Sequence, residues 1–154
     1  MDRNNHESLA DLQADIDLAP FHGFLRPKVE ALNAEAGTVT ITLAVRPEMG
    51  RVPGEPAAHG GIVASLADLT AHAAVRARVG HSVPTVDLRL DYLRPANGAR
   101  LSATATILKC GQTLAIVDVT ITTDAGKTAA VARATFLTTG PTGNAKPRRQ
   151  GSAQ

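Results

Sequence analysis

Residues 62–79 contain no glycine or proline and carry apolar side chains on nearly every helical face. Ile62, Val63, Leu66, Ala67, Leu69, Ala71, Ala73, Ala74 and Val75 are interrupted mainly by Ser65, Asp68, Thr70 and His72. Such an Ala- and Leu-rich run predicts a helix of about five turns. A helix apolar all round must also be covered all round. The rest of the chain therefore has to supply a wrapper.

That wrapper reads as β-structure. Residues 28–34 are a plausible first strand. Thr38, Thr40 and Thr42 alternate with Val39, Ile41 and Leu43, the pattern of a half-buried strand. Residues 47–58 hold three prolines and two glycines and read as a loop. After Gly80 the pattern is strands alone. Val86, Leu88, Leu90 and Tyr92 alternate with Thr85, Asp87, Arg89 and Asp91. A turn at residues 95–98 leads to residues 100–109, with Leu101, Ala103, Ala105 and Ile107 on one face. Gly111 turns the chain into residues 113–123, and Asp124-Ala125-Gly126-Lys127 reads as a hairpin turn before residues 128–138. Short connections predict antiparallel neighbours. The expected fold class is α+β: a twisted antiparallel sheet of about six strands, wrapped around one long central helix.

With 154 residues the chain fits one domain, expected over residues 20–140. Residues 1–19 form an acidic segment, a short helix or disordered, with Leu9, Leu12 and Ile16 at helical spacing. Pro20, Gly23 and Pro27 are expected to break that helix. Residues 141–154, carrying Lys146, Arg148 and Arg149, are expected to be a disordered basic tail.

Composition narrows the function. There is no Trp, one Tyr and three Phe, which removes the aromatic platforms that single-stranded nucleic acid needs. A net charge of +2 is too small to imply a nucleic-acid partner. The lone Cys110 allows no internal disulfide, so a reducing, cytoplasmic location is expected. Neither an apolar run of membrane-spanning length nor a signal-peptide core is visible, so no membrane partner is expected. No Cys/His cluster has metal-ligand spacing, so neither metal nor other cofactor is expected. Cys110, with no base or helix start recognisable beside it, reads as inert.

The chemistry gathers around the central helix. His59-Gly60-Gly61 stands at its entry, where backbone N–H groups lack internal partners and meet the positive end of the helix dipole. Glycines there let a ligand approach the backbone closely. Such a site suits an oxyanion or a polarised carbonyl. Asp68 then interrupts the apolar run, where a carboxylate is costly unless solvated or paired. It is either satisfied by a neighbour such as Ser65 or it works chemically. His72, four residues on, shares its face. It either tunes Asp68 or simply bonds a neighbouring carbonyl.

Gly60 and Asp68 are separated by about 12 Å along one helix, too far to serve one carbonyl. If both act on one substrate, they come from different copies of the chain. That predicts a homodimer with antiparallel central helices and two equivalent composite sites.

The run from His59 to Asp68, followed by Pro84-Thr85-Val86-Asp87-Leu88-Arg89-Leu90-Asp91-Tyr92-Leu93-Arg94-Pro95-Ala96, resembles the hot-dog thioesterases of the phenylacetate-degradation type. The resemblance covers about residues 20–139. It implies an acyl-CoA thioesterase acting on an aryl or short- to medium-chain acyl group. Gly60 would polarise the thioester carbonyl, Asp68 would be general base or nucleophile, and Thr85 would help orient the water. His59 and Gly61 would shape the substrate-binding loop. Arg94 and Arg100 are the candidates for the coenzyme A phosphates, coenzyme A being part of the substrate rather than a cofactor. The assembly implied is a homodimer or a dimer of dimers.

One feature departs from that pattern. Members of this branch often carry Asn or Gln before His-Gly-Gly, and residues 51–58 contain neither. Glu55 is not expected to replace it. The departure leaves a non-catalytic acyl-CoA-binding domain as the alternative. A hot-dog dehydratase is disfavoured, because its His with Asp-Pro or Asn-Pro pattern is missing.

Overall fold

The computed structural model describes residues 8–140. The expected tail over residues 141–154 lies outside them, as do residues 1–7 of the acidic segment. Ser8 opens helix α1 (Leu9–Asp17) with a reciprocal cap: its Oγ accepts from the Asp11 N–H, and the Asp11 carboxylate accepts from the Ser8 N–H. Leu12 and Ile16 bury the inner face. The stretch that follows is more than a break. Pro20 takes the first position of a second helix, α2 (Pro20–Leu25), where its missing N–H costs nothing. Arg26 ends α2 in the left-handed region at φ 56°.

Strands β1 (Lys28–Asn33) and β2 (Thr38–Ala44) precede the central helix α3 (Gly60–Val79). Strands β3 (Thr85–Tyr92), β4 (Arg100–Cys110), β5 (Leu114–Thr123) and β6 (Thr128–Leu137) follow it. All six join one antiparallel sheet in the order β1-β2-β4-β5-β6-β3, which curls around α3. The α+β hot-dog architecture is the one expected. Ala103, Ala105, Val117, Val119, Ala130, Ala134 and Phe136 face inward and are buried. The outer face is polar: Thr40 and Thr104 pair at 3.0 Å, and Arg133 grips Asp118 at 2.6 and 2.8 Å.

Two details differ from the sequence reading. The short link between β3 and β4 does not make a hairpin. β3 pairs with β6, whereas β4 lies between β2 and β5. The link is held instead by the loop before α3, where the Ala58 N–H donates to the Ala96 carbonyl at 3.0 Å. The alternation along β3 is also interrupted. Thr85 pairs with Phe136 and Asp87 with Thr135, so Val86 is an extra, unpaired residue. This bulge turns Thr85 onto the inner face with Leu88, Leu90 and Tyr92, and leaves Val86 60% exposed.

The two sheet edges are treated unequally. At β1, Gln13 of α1 accepts from the Val29 N–H at 2.7 Å and donates to the Pro27 carbonyl at 3.1 Å. At β3, no described element covers the edge, and Val86, Tyr92 and Leu93 are exposed beside it.

Candidate active site

Gly61, Ser65, Asp68, His72 and Arg76 recur every three or four residues, so they form one stripe along α3. After Gly80 the chain returns along that stripe. Val83 stands at His72, Thr85 at Asp68 and Tyr92 at Gly60.

His59 caps the helix start. Its Nδ1 accepts from the Gly61 N–H at 2.9 Å, and its own N–H donates to the Met49 carbonyl at 2.8 Å. The Ile62 and Val63 N–H groups share the His59 carbonyl. Among the described residues no acceptor reaches the Gly60 N–H. It is the donor left over at the positive end of the helix.

Tyr92 fixes this turn from the other side. Its hydroxyl donates to the Gly60 carbonyl at 2.8 Å. A Cβ at residue 60 would stand 3.2 Å from that hydroxyl oxygen, so a side chain there would displace the ring. Sequence reasoning gave Tyr92 no part in the site. The available signal was its inward position on β3 and its being the chain's single tyrosine.

Asp68 is half-buried, and Thr85 Oγ1 donates to its Oδ1 at 3.0 Å. Ser65 is not its partner, because the Ser65 hydroxyl turns back to the Gly61 carbonyl at 2.8 Å. Asp68, Thr85, Gly60 and Tyr92 thus lie along one strip between α3 and β3.

The other candidates fall into two groups. Arg94 is exposed two residues beyond Tyr92, at the Gly60 end of the strip. Arg100 is not brought there. It lies on the outer sheet face in a cavity with Glu30, Thr42 and Ser102, because its neighbour Leu101 takes the inward position. Glu55 is held by Arg51 at 2.9 Å. Cys110 is half-buried at the end of β4. Among the described residues no group of three or more His, Cys, Asp and Glu could hold a metal, and no helix is long and apolar enough to cross a membrane.

Among the described residues no carbonyl bonds the His72 ring. Its Nε2 meets the Ser82 hydroxyl at 3.3 Å and the Val83 N–H at 3.5 Å, and its ring packs edge-on against Phe136. Burial pushes its pKa below the ordinary histidine value, and the nearby Asp68 charge pulls it partly back. On acidification the unfolded chain therefore takes up this proton before the folded one. The stability His72 contributes is complete above about pH 6.5 and is lost as pH falls towards its lowered folded pKa. The melting temperature should drop more between about pH 7.5 and about pH 5.5 in the wild type than in His72→Gln. Parallel melting profiles would remove His72 from the pH response.

Comparison with known proteins fits this arrangement. The family model described as the thioesterase superfamily matches residues 56–130, which include both His59-Gly60-Gly61 and Asp68. A Halobacterium salinarum protein provisionally called an esterase is 33% identical over 124 residues, 77% of this chain and 80% of its own. The medium/long-chain acyl-CoA thioesterase YigI of Escherichia coli is 34% identical over 95 residues, spanning 51% of this chain and 61% of YigI. A solved thioesterase-superfamily structure superposes with TM-score 0.78 at 29% identity, covering 84% of this chain and 96% of its own. The PaaI protein of the Escherichia coli phenylacetic acid degradation operon shares the fold with TM-score 0.74 at 24% identity, over 86% of this chain and 97% of its own. By family match, by relatives and by fold, the chain belongs to the thioesterase superfamily and is a thioester hydrolase.

Proposed function

We propose that the protein hydrolyses the thioester of an aryl or short- to medium-chain acyl-CoA at a site shared by two subunits. The observation that carries this reading is the Thr85–Asp68 hydrogen bond on the strip that also bears the free Gly60 N–H. In this reading the substrate carbonyl accepts from Gly60 and develops negative charge there, where a fixed donor is most effective. Asp68 takes a proton from water as the oxygen attacks the carbonyl carbon. Thr85 holds the carboxylate, and Tyr92 holds the Gly60 turn. The C–S bond then breaks. The acid leaves with the new oxygen, and coenzyme A leaves as its thiol after regaining the proton. Arg94 stands where a coenzyme A phosphate can approach the Gly60 end.

If both groups act on one carbonyl, the separation of Gly60 from Asp68, about 12 Å along α3, calls for a second subunit. The open β3 edge supports the same conclusion. An uncovered edge invites another strand. Two β3 strands pairing across a two-fold axis run antiparallel. Each β3 lies along its own α3, so the two central helices also run antiparallel. Asp68 of one copy is thereby directed towards Gly60 of the other.

Thiol release from acetyl-, butanoyl-, octanoyl-, dodecanoyl- and phenylacetyl-CoA tests the activity and ranks the acyl groups. Turnover of at least one of them is expected, and turnover of none sinks the proposal. Thr85→Val should lower kcat about tenfold, the size of one hydrogen bond to a charged group worth roughly 1.5 kcal/mol. An unchanged kcat would leave Thr85 without a part in the chemistry.

A further inference from the structure

The strip on α3 does not stop at Asp68. One turn further on, helices α1 and α2 roof a cavity of ≈ 460 Å³ over His72, Ala73 and Arg76. Its size falls within the range of small-molecule sites, about 300–1,000 Å³. The proposed reaction uses none of its walls. We propose that this cavity receives the acyl chain of the substrate, which makes the preferred substrate a medium-chain aliphatic acyl-CoA. The assignment rests on the acyl-CoA hydrolase reading above.

Three observations support it. The first is continuity. The chain returning along α3 sets Thr85 at Asp68 and Ser82 at His72, so the cavity begins where the catalytic strip ends. The partition between them is slight. His72 and Ser82 meet at 3.3 Å, at the loose end of the hydrogen-bond range, and Ser82 is exposed. The second is chemistry. Leu12, Ile16, Leu18 and Ala19 of the roof and Ala73 of the floor are apolar, the roof's His22 turns its Nδ1 to the Ile16 carbonyl at 2.6 Å, and burial favours the uncharged form of the His72 ring. Up to the Arg76–Asp15 pair, hydrocarbon can pass such walls without stripping water from a charge. The third is the far end. There Arg76 is paired with Asp15 across α3 and α1, and the pair closes the cavity to carbon.

The helix supplies a ruler. From Asp68 to Arg76 is about 12 Å. An extended chain advances ~1.1–1.2 Å per bond, because three backbone bonds span about 3.3–3.6 Å. An acyl chain of about ten or eleven carbons therefore fills the path from the thioester to the ion pair, and one of about eight carbons reaches well past His72 into the roofed part. An aryl group directly attached near the carbonyl would stop short of the roofed part.

The test uses the full chain and steady-state kinetics on butanoyl-, octanoyl- and phenylacetyl-CoA. The wild type should prefer octanoyl- over butanoyl-CoA in kcat/KM. Ala19→Phe, which fills the cavity from a half-exposed position, should lower that octanoyl-to-butanoyl preference about tenfold or more. Ala73→Leu fills it from the opposite wall and should shift the preference in the same direction, so a folding defect in one variant does not decide the outcome. A wild type without the octanoyl preference, or variants that depress all substrates in equal proportion, would overturn the cavity assignment and leave the hydrolase intact. Failure of the wild type to cleave any acyl-CoA would overturn both.

Discussion

Asp68→Asn lowers kcat by about 100-fold or more on the acyl-CoA that the wild type cleaves fastest, with KM little changed. Asparagine keeps the size of the side chain and still offers an oxygen to the Thr85 hydroxyl, now at 3.0 Å from Asp68 Oδ1. It cannot accept a proton from water. The loss therefore isolates the base from its scaffolding, and a 100-fold fall corresponds to about 2.7 kcal/mol of transition-state stabilisation. A general base acts only as the water attacks, so kcat should carry the effect. A variant within about threefold of the wild type would take Asp68 out of the mechanism while leaving the thioester hydrolase in place.

Gly60→Pro should cost about 10²–10³ in kcat, the cost of removing one oxyanion donor. Proline suits the first position of a helix, so the backbone of α3 is expected to survive. The preceding His59 is already extended, at φ −60° and ψ 143°, as a residue before proline must be. What disappears is the Gly60 N–H, together with some room for the Tyr92 ring. Tyr92→Phe, measured alongside, shows how much of the loss belongs to the ring. Subunit mixing then tests the shared site. Asp68→Asn and Gly60→Pro homodimers are each nearly inactive, but a mixed dimer has one site with both native groups. After random exchange about half the dimers are mixed, each with one working site of two, so activity should recover to about a quarter of the wild type. No recovery, with exchange verified by mass, would place Gly60 and Asp68 in one subunit's chemistry or in none.

The central helix was legible because Ile62 to Val75 leave it almost no polar face. The strands flanking it were legible from strict alternation, as in Thr38 to Leu43. Three features were not. Pro20 and Gly23 read locally as breakers, yet Pro20 at a first helical position starts α2. The link from β3 to β4 has hairpin length, yet β3 is claimed by β6, nearly forty residues further on; such pairing is decided by the closed sheet and not by the link. The bulge at Val86 is hidden because the sequence alternates without a flaw through Val86, Leu88, Leu90 and Tyr92. Only the Thr85–Phe136 register shows that Thr85 faces inward. The contact of Tyr92 with Gly60 depends on the same long-range pairing, which local periodicity does not carry.

That pairing also sets a timetable. On the ribosome, α3 with Asp68 emerges early, and β3 with Thr85 follows within a few residues. Nothing yet holds β3 in register, since its partner β6 is the last described strand to be made. Local helix can form at once, while contacts between distant segments must wait for both. A nascent chain halted before Thr128 would present its carboxylate without the threonine beside it. The strand that becomes the open edge is thus also the last to be secured, so the two-subunit site proposed above would have to wait until the C-terminal strand has locked it.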